Sequence, residues 1–392
     1  MKKLLLATLV SAVSIGAAQA DGPTVYGKIN ASVDNTKSDL NTHGSASVDS
    51  NASRFGIKGS EKLTDNLSAI YGIEWGVSID NNSNSSKPAI NNNTDTSATG
   101  STYDLSARNR FIGLQYEGLG LVKIGRLDSN LKTLQYVNPA QGVDIFDDYV
   151  NGSLDVTQVI AGENRINNVI AFETAKFDLG FGNVGANFQI IPSEKTAPRA
   201  TGGATGSTAT SSSVLFTNKD VGVYTGLAYD SNVSSISNAS GSFGGTYTSF
   251  LSNTFRWVGS VDLGKLGVDG VTFNALAQQA KLTNSTLAGN KPKETSYLVS
   301  GIYKFPASIA DGLAIKAQWE TATTKDITPG AKDIKIDQFG LDVDYAFSAK
   351  TKVYTFVAER QVKNPNNPAV AANGYDTKYK YTAYGVGIEQ KF

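Results

Sequence analysis

Side-chain polarity alternates with a period of two over long stretches of this chain. Thr24 to Asp34 sets Val25, Ile29, Ala31 and Val33 against Tyr26, Lys28, Asn30 and Ser32. Leu67 to Ile79 sets Leu67, Ala69, Tyr71, Ile73, Trp75, Val77 and Ile79 against Ser68, Glu74 and Ser78. Leu313 to Ala322 opposes Leu313, Ile315, Ala317 and Trp319 to Lys316, Gln318 and Glu320, and Ile336 to Ser348 opposes Phe339, Leu341, Val343, Tyr345 and Phe347 to Gln338, Asp342 and Asp344. The last residues, Thr377 to Phe392, repeat it with Tyr384, Val386, Ile388 and a terminal Phe392. A period of two puts alternate side chains on opposite faces of a strand. Similar runs begin near Arg54, Arg165, Phe181, Asp220, Phe255, Val271 and Thr295, while the pattern blurs at Arg108 to Arg126 and Ser213 to Ser252.

These runs are about ten residues long, the length of a tilted strand crossing a bilayer. One face is greasy enough for lipid. The other carries Glu74, Glu320, Asp342 and Asp344, which need water. A soluble β-sandwich alternates in the same way, so the period alone leaves both open. Aromatics near segment ends (Tyr26, Phe172, Tyr229, Phe305, Phe347 and Tyr384) suggest interfacial girdles. Trp75, Trp257 and Trp319 all fall on apolar faces.

The two ends of the chain favour the membrane. Lys2 and Lys3, an apolar run from Leu4 and the Ala18-Gln19-Ala20 site read as a secretory signal peptide over 1–20, leaving 21–392 as one β-barrel domain. A final alternating strand ending on Phe392 suits a barrel whose last strand closes on its first. About fifteen strands can be marked. The even count of bacterial barrels points to sixteen, at roughly 23 residues each. Short turns at Lys62 to Asn66, Gly118 to Gly120 and Phe347 to Lys350 contrast with long Ser/Thr/Asn/Gly segments at Asn35 to Ala52, Asn81 to Ala107, Pro192 to Asn218 and Lys363 to Tyr375. That asymmetry between ends is typical of outer-membrane barrels.

Composition removes other classes. With no Cys there is no disulfide framework, and no window is apolar enough for a membrane helix. Without Lys2 and Lys3 the chain carries 33 basic and 35 acidic residues, which gives no case for nucleic acid. His43 is the single histidine and lies in a polar segment, so His- or Cys-based catalysis, metal binding and a cofactor have no residue basis.

Particular segments then resemble the general porins of the Gram-negative outer membrane, a trimeric sixteen-stranded family: TVYGK at Thr24, SRFGIKGSE at Ser53, RNRFIGLQY at Arg108, VKIGRLDS at Val122 and NRINNVIAFETAKF at Asn164. The resemblance implies an outer-membrane homotrimer in contact with lipid and lipopolysaccharide, passing ions and small hydrophilic solutes. It implies a third loop, Leu127 to about Glu163, folded into the lumen, with Asp144, Asp147, Asp148, Asp155 and Glu163 as its acids. By motif match the opposing basic ladder is Lys28, Arg54, Arg126 and Arg165, with Arg110 and Lys58 on the same strands. Opposed charges across a narrow watery gap create a transverse field and set ion selectivity. Two departures stand out. Gln390 replaces a common aromatic, and Asn138 to Asp148 lacks the family's acidic tip with paired glycines. Asn81 to Ala107 is the segment expected to reach a neighbouring subunit. The alternatives are a substrate-selective channel of the same fold, for oligosaccharides or anions, and an adhesive barrel.

Overall fold

The computed structural model describes residues 22–39, 45–79, 105–147, 149, 155–156, 159–192, 208–235, 250–283, 292–325, 333–363 and 378–392. The expected leader 1–20, His43, Asp148 and all of the 81–107 segment before Leu105 lie outside the described residues.

Sixteen antiparallel strands form one closed sheet. They are β1 (Thr24–Ser38), β2 in two parts (Ser45–Ser50 and Arg54–Lys62), β3 (Leu67–Val77), β4 (Leu105–Tyr116), β5 (Gly120–Asp128), β6 (Arg165–Thr174, continued by Phe177–Asp178), β7 (Asn183–Ile191) and β8 (Ala209–Asn218). The second half is β9 (Val223–Ser235), β10 (Phe250–Asp262), β11 (Val271–Leu282), β12 (Lys293–Lys304), β13 (Leu313–Lys325), β14 (Ile334–Ala346), β15 (Thr351–Lys363) and β16 (Lys378–Lys391). Each strand pairs with its sequence neighbours, and β16 returns to β1 with Lys28 opposite Lys391 and Ser38 opposite Tyr381. Closure leaves no free edge, which a sheet in hydrocarbon requires. Phe392 completes it: its N–H donates to the Gly27 carbonyl at 3.1 Å and its carbonyl accepts from Gly27 at 3.2 Å. A Cβ at position 27 would run into the Phe392 ring and the Arg54 carbonyl, so only glycine fits this seam.

The expected faces are the observed ones. Val25, Val33, Ile73, Ile315, Trp319, Phe339, Leu341, Val386 and Ile388 are exposed. Their neighbours Asn30, Ser32, Asp34, Gln318, Glu320, Gln338 and Asp342 are buried. The blurred regions are also strands, β4 with β5 and β8 with β9. Tyr26 departs from the girdle expectation: it lies on the polar face, with Lys58 Nζ 5.2 Å from its ring centroid.

Three irregularities among β1 to β6 re-aim side chains. Between Lys28↔Arg54 and Ala31↔Ser50 strand β2 carries an extra residue, and Ala52 takes a left-handed φ of 49°. Ile73 pairs with Arg110 while Trp75 pairs with Ala107, so Glu74 faces both Arg108 and Asn109. Gly125 pairs with Val169 but Leu127 with Ile166, with Asn168 at a φ of 58°. Such bulges shift which side chain reaches which face.

Candidate functional site

Described residues of the segment between β5 and β6 pack against the buried faces of the strands. It opens with a short helix, α1 (Asn130–Thr133), capped by Ser129 Oγ accepting from Lys132 N. Asn130 donates from its backbone N to Ser211 Oγ and from Nδ2 to the Ser211 carbonyl, each at 2.8 Å. Leu131, Leu134, Val143, Val156, Val159 and Ile160 then pack with Ala228, Val258, Leu276, Leu298, Ala322, Ile336 and Val362, one from each of β9 to β15. A second cluster joins Ile145, Phe146 and Tyr149 to Ile302, Ala314, Tyr354, Phe356 and Ala383. Phe146 lies directly on Gly340, where a Cβ would collide with its ring.

Polar clasps fix the same segment. Asn138 donates to Ser260 Oγ at 3.0 Å, Ser300 Oγ donates to the Val143 carbonyl at 2.6 Å, and Ala161 N donates to Glu294 Oε1 at 2.9 Å. Asp144 accepts from Phe146 N, Val156 N and Gln318 Nε2, all within 3.0 Å. Burial pushes its carboxyl up to about 7, with Asp147 adding to the rise. Arg256, with no exposed surface, pairs with Glu163 and also donates to Gln278 Oε1 at 2.7 Å and the Leu131 carbonyl at 3.2 Å. Even beside Arg256, burial lifts the Glu163 carboxyl above its ordinary value. Tyr149 sits over a charged patch: Lys316 and Lys352 reach its hydroxyl at 3.4 Å and both pair with Asp344.

The buried faces of β1 to β6 carry a set of full charges beside a smaller apolar cluster of Leu127, Ile166, Val169 and Ala171. Lys28 pairs with Glu389 of β16 at 3.1 Å, and Arg165 with Asp128 of β5 at 3.0 Å. Asn109 bridges Asp128 and Arg165 at 2.9 Å each. Arg108 pairs with Glu74. Arg54 is opposite Lys28 in register, and its Nη1 reaches the Ala52 carbonyl at 3.4 Å. The side chains of Arg108 and Arg165 keep 21% and 14% of their surface accessible, against none for Arg256.

Of the basic residues named from sequence, Lys28, Arg54, Lys58 and Arg165 fall on the buried face. Arg110 and Arg126 do not. They are cross-strand partners, in step with Ile112↔Ile124 and Leu114↔Val122, whose side chains are exposed. Arg110 lies 5.9 Å from the Trp75 ring centroid, and Arg126 donates to Asn167 Oδ1 at 2.6 Å. The bulge opposite Glu74 is the reason: it turns Arg108 inward in place of Arg110, and no periodic reading locates a bulge. Among the acids, Asp144 and Glu163 bond within the segment and to β10 and β13, and Asp147 accepts from the Tyr136 hydroxyl. Arg256 is not among the residues named from sequence; its one signal there is a charge between the apolar Phe255 and Trp257, and its pairing across 93 residues has none.

The comparisons agree with this architecture. The family model of Gram-negative porins matches residues 6–365. The major outer membrane protein P.IB of Neisseria meningitidis is 32% identical over 146 residues, covering 36% of this chain and only 38% of that relative's length. An outer membrane porin protein of Bordetella pertussis is 24% identical over the full length of both chains. The anion-selective porin of Comamonas acidovorans superposes with a TM-score of 0.65 at 17% identity, covering 95% of this chain and 99% of that one. The trimer form of OmpT from Vibrio cholerae gives 0.56 at 13% identity, covering 95% and 100%. With a closed sixteen-strand sheet, an apolar exposed face and a family match across most of its length, the chain belongs to the Gram-negative porins, β-barrels of the outer membrane.

Proposed function

We propose that the chain is a passive, non-enzymatic diffusion pore for ions and small hydrophilic solutes, working as a homotrimer. One observation carries this: a closed sheet has an apolar exposed face and a buried face lined with ion pairs and amides. Such a wall offers a hydrated path through hydrocarbon, and the solute gradient supplies the driving force. The segment from Ser129 to Glu163 takes up part of the lumen on the β8 to β15 side. The free passage then runs along β1 to β6, past Lys28, Arg54, Arg108 and Arg165. The acids on that wall are Glu74, Asp128 and Glu389, so the field there is set mainly between neighbouring strands. Trimerisation has the support of the OmpT trimer among structures of the same fold.

The test is single-channel conductance of purified, unheated protein in a planar bilayer under a salt gradient. Stepwise openings in groups of three, with no saturation by sugars, are the expected result. Silence from correctly folded protein, or conductance that one solute blocks at low concentration, would replace this reading with an adhesive or substrate-selective barrel.

A further inference from the structure

A line of charges crosses the buried faces of neighbouring strands. Lys316 stands on β13, Asp344 on β14, Lys352 on β15 and Glu389 on β16. Lys28 and Arg54 follow on β1 and β2, then Glu74 on β3, Arg108 on β4, Asp128 on β5 and Arg165 on β6. The sign changes at every step except from Lys28 to Arg54. Asp344 pairs with both Lys316 and Lys352, and Glu389 pairs with both Lys28 and Lys391. Glu74 pairs with Arg108, and Asp128 with Arg165. Lys352 also stands opposite Glu389 in register.

The line runs through the depth of the wall. On β14 to β16 it lies at the ends joined by short turns: Asp344 is two residues from the end of β14, and Lys352 is the second residue of β15. On β5 and β6 it lies at the ends joined by a long segment, for Asp128 closes β5 and Arg165 opens β6. Tilt explains the climb, since a path perpendicular to tilted strands rises along the barrel wall. Successive rungs are about one strand spacing apart, roughly 4.8 Å. Opposite charges on neighbouring strands stabilise a sheet, which accounts for each pair taken singly. It does not require the pairs to continue from one rim to the other, nor their side chains to stay accessible. Lys28 and Glu389 are buried, but Lys352 and Asp344 keep 22% and 11% of their side-chain surface, against 0% and 1% for Arg256 and Glu163.

An ion of one sign gains little on such a line, because each rung that attracts it is flanked by one that repels it. A zwitterion gains at both ends. With its ammonium and carboxylate about one strand spacing apart, it sets the carboxylate against a Lys or Arg and the ammonium against the neighbouring Asp or Glu. The next rungs repeat the match. We propose that the passage favours short zwitterions, in particular ω-amino acids, over neutral solutes of the same size. This rests on the pore reading above and names the solute class that reading leaves open.

The experiment compares uptake of isotope-labelled γ-aminobutyrate with that of 4-hydroxybutanamide, its neutral isomer, into proteoliposomes, after subtracting uptake by protein-free vesicles. The ratio of the two rates cancels changes in pore area. Wild type should take up the zwitterion about fivefold faster at low salt, and the ratio should fall towards unity at high salt. The set Glu74→Gln, Asp344→Asn and Glu389→Gln removes the acidic rungs and should bring the ratio to unity. Arg110→Gln, off the line, should leave it unchanged. A wild-type ratio of unity, a ratio indifferent to salt, or one unchanged in the neutralised set would each overturn the proposal while leaving the pore. Should that set not fold, the wild-type ratio and its salt dependence decide alone. No uptake of either solute would strike the pore reading and this one with it.

Discussion

The two halves of the buried wall use one backbone pattern for different ends. On β9 to β15 the inward positions that meet the Ser129 to Glu163 segment are largely Ala, Val, Leu and Ile, with Ser and Gln as hydrogen-bond partners. On β1 to β6 the inward positions are Lys28, Arg54, Glu74, Arg108, Asp128 and Arg165. Arg256 of β10, with no exposed surface, needs a carboxylate, an amide and a carbonyl to be tolerated. On β1 to β6 the Arg108 and Arg165 side chains keep some accessible surface, while Lys28 and its partner Glu389 are buried.

Breaking the clasp gives the largest effect. Arg256→Ala strands Glu163 and Gln278 without their partner and should cost about 3–5 kcal/mol of local stability. Its readouts are protease cleavage within the segment and a larger, noisier conductance; unchanged cleavage would refute the anchoring role. Next comes pH. The folded Asp144 carboxyl is raised to about 7, above its ordinary value of 3.8, so the anchoring it contributes is complete below about pH 4. That contribution is lost as pH rises through about 7. Cleavage of the segment should therefore increase from pH 4 to pH 8, and Asp144→Asn should flatten the dependence. Gly340→Val overpacks the seat of Phe146 and should cost about 1–3 kcal/mol. Pairing it with Phe146→Ala should restore part of the loss, visible in thermal unfolding. The smallest effect sharpens the charged half. Arg108→Ala should raise cation over anion permeability by up to about fivefold at low salt, from a single-charge interaction near 1 kcal/mol, and by less at high salt. Arg110→Ala should leave the reversal potential unchanged. The reverse order of effects would return Arg110 to the lumen.

The barrel was legible because its period is short and local. Val25, Ile29 and Val33 against Asn30, Ser32 and Asp34 need no partner strand to be recognised. Arg110 is named by its place on a strand that resembles the family, where the alternation blurs; β4 carries a bulge there, and one extra residue inverts the faces beyond it, so Arg108 turns inward. The acids of the third loop were legible as a cluster but not as separate roles. Nothing near Asp144 in sequence announces Gln318, and nothing near Glu163 announces Arg256.

By itself the sequence determined most of the membrane-crossing strands and their two faces, because alternation, turn chemistry and length are properties of neighbouring residues; sixteen came from the even-number rule applied to about fifteen marked strands. Only the tertiary structure decided which charges stand on the buried face of the sheet and which pin a segment. That choice depends on bulges, on cross-barrel partners and on how much water each side chain keeps, and all three arise when distant strands close into one sheet.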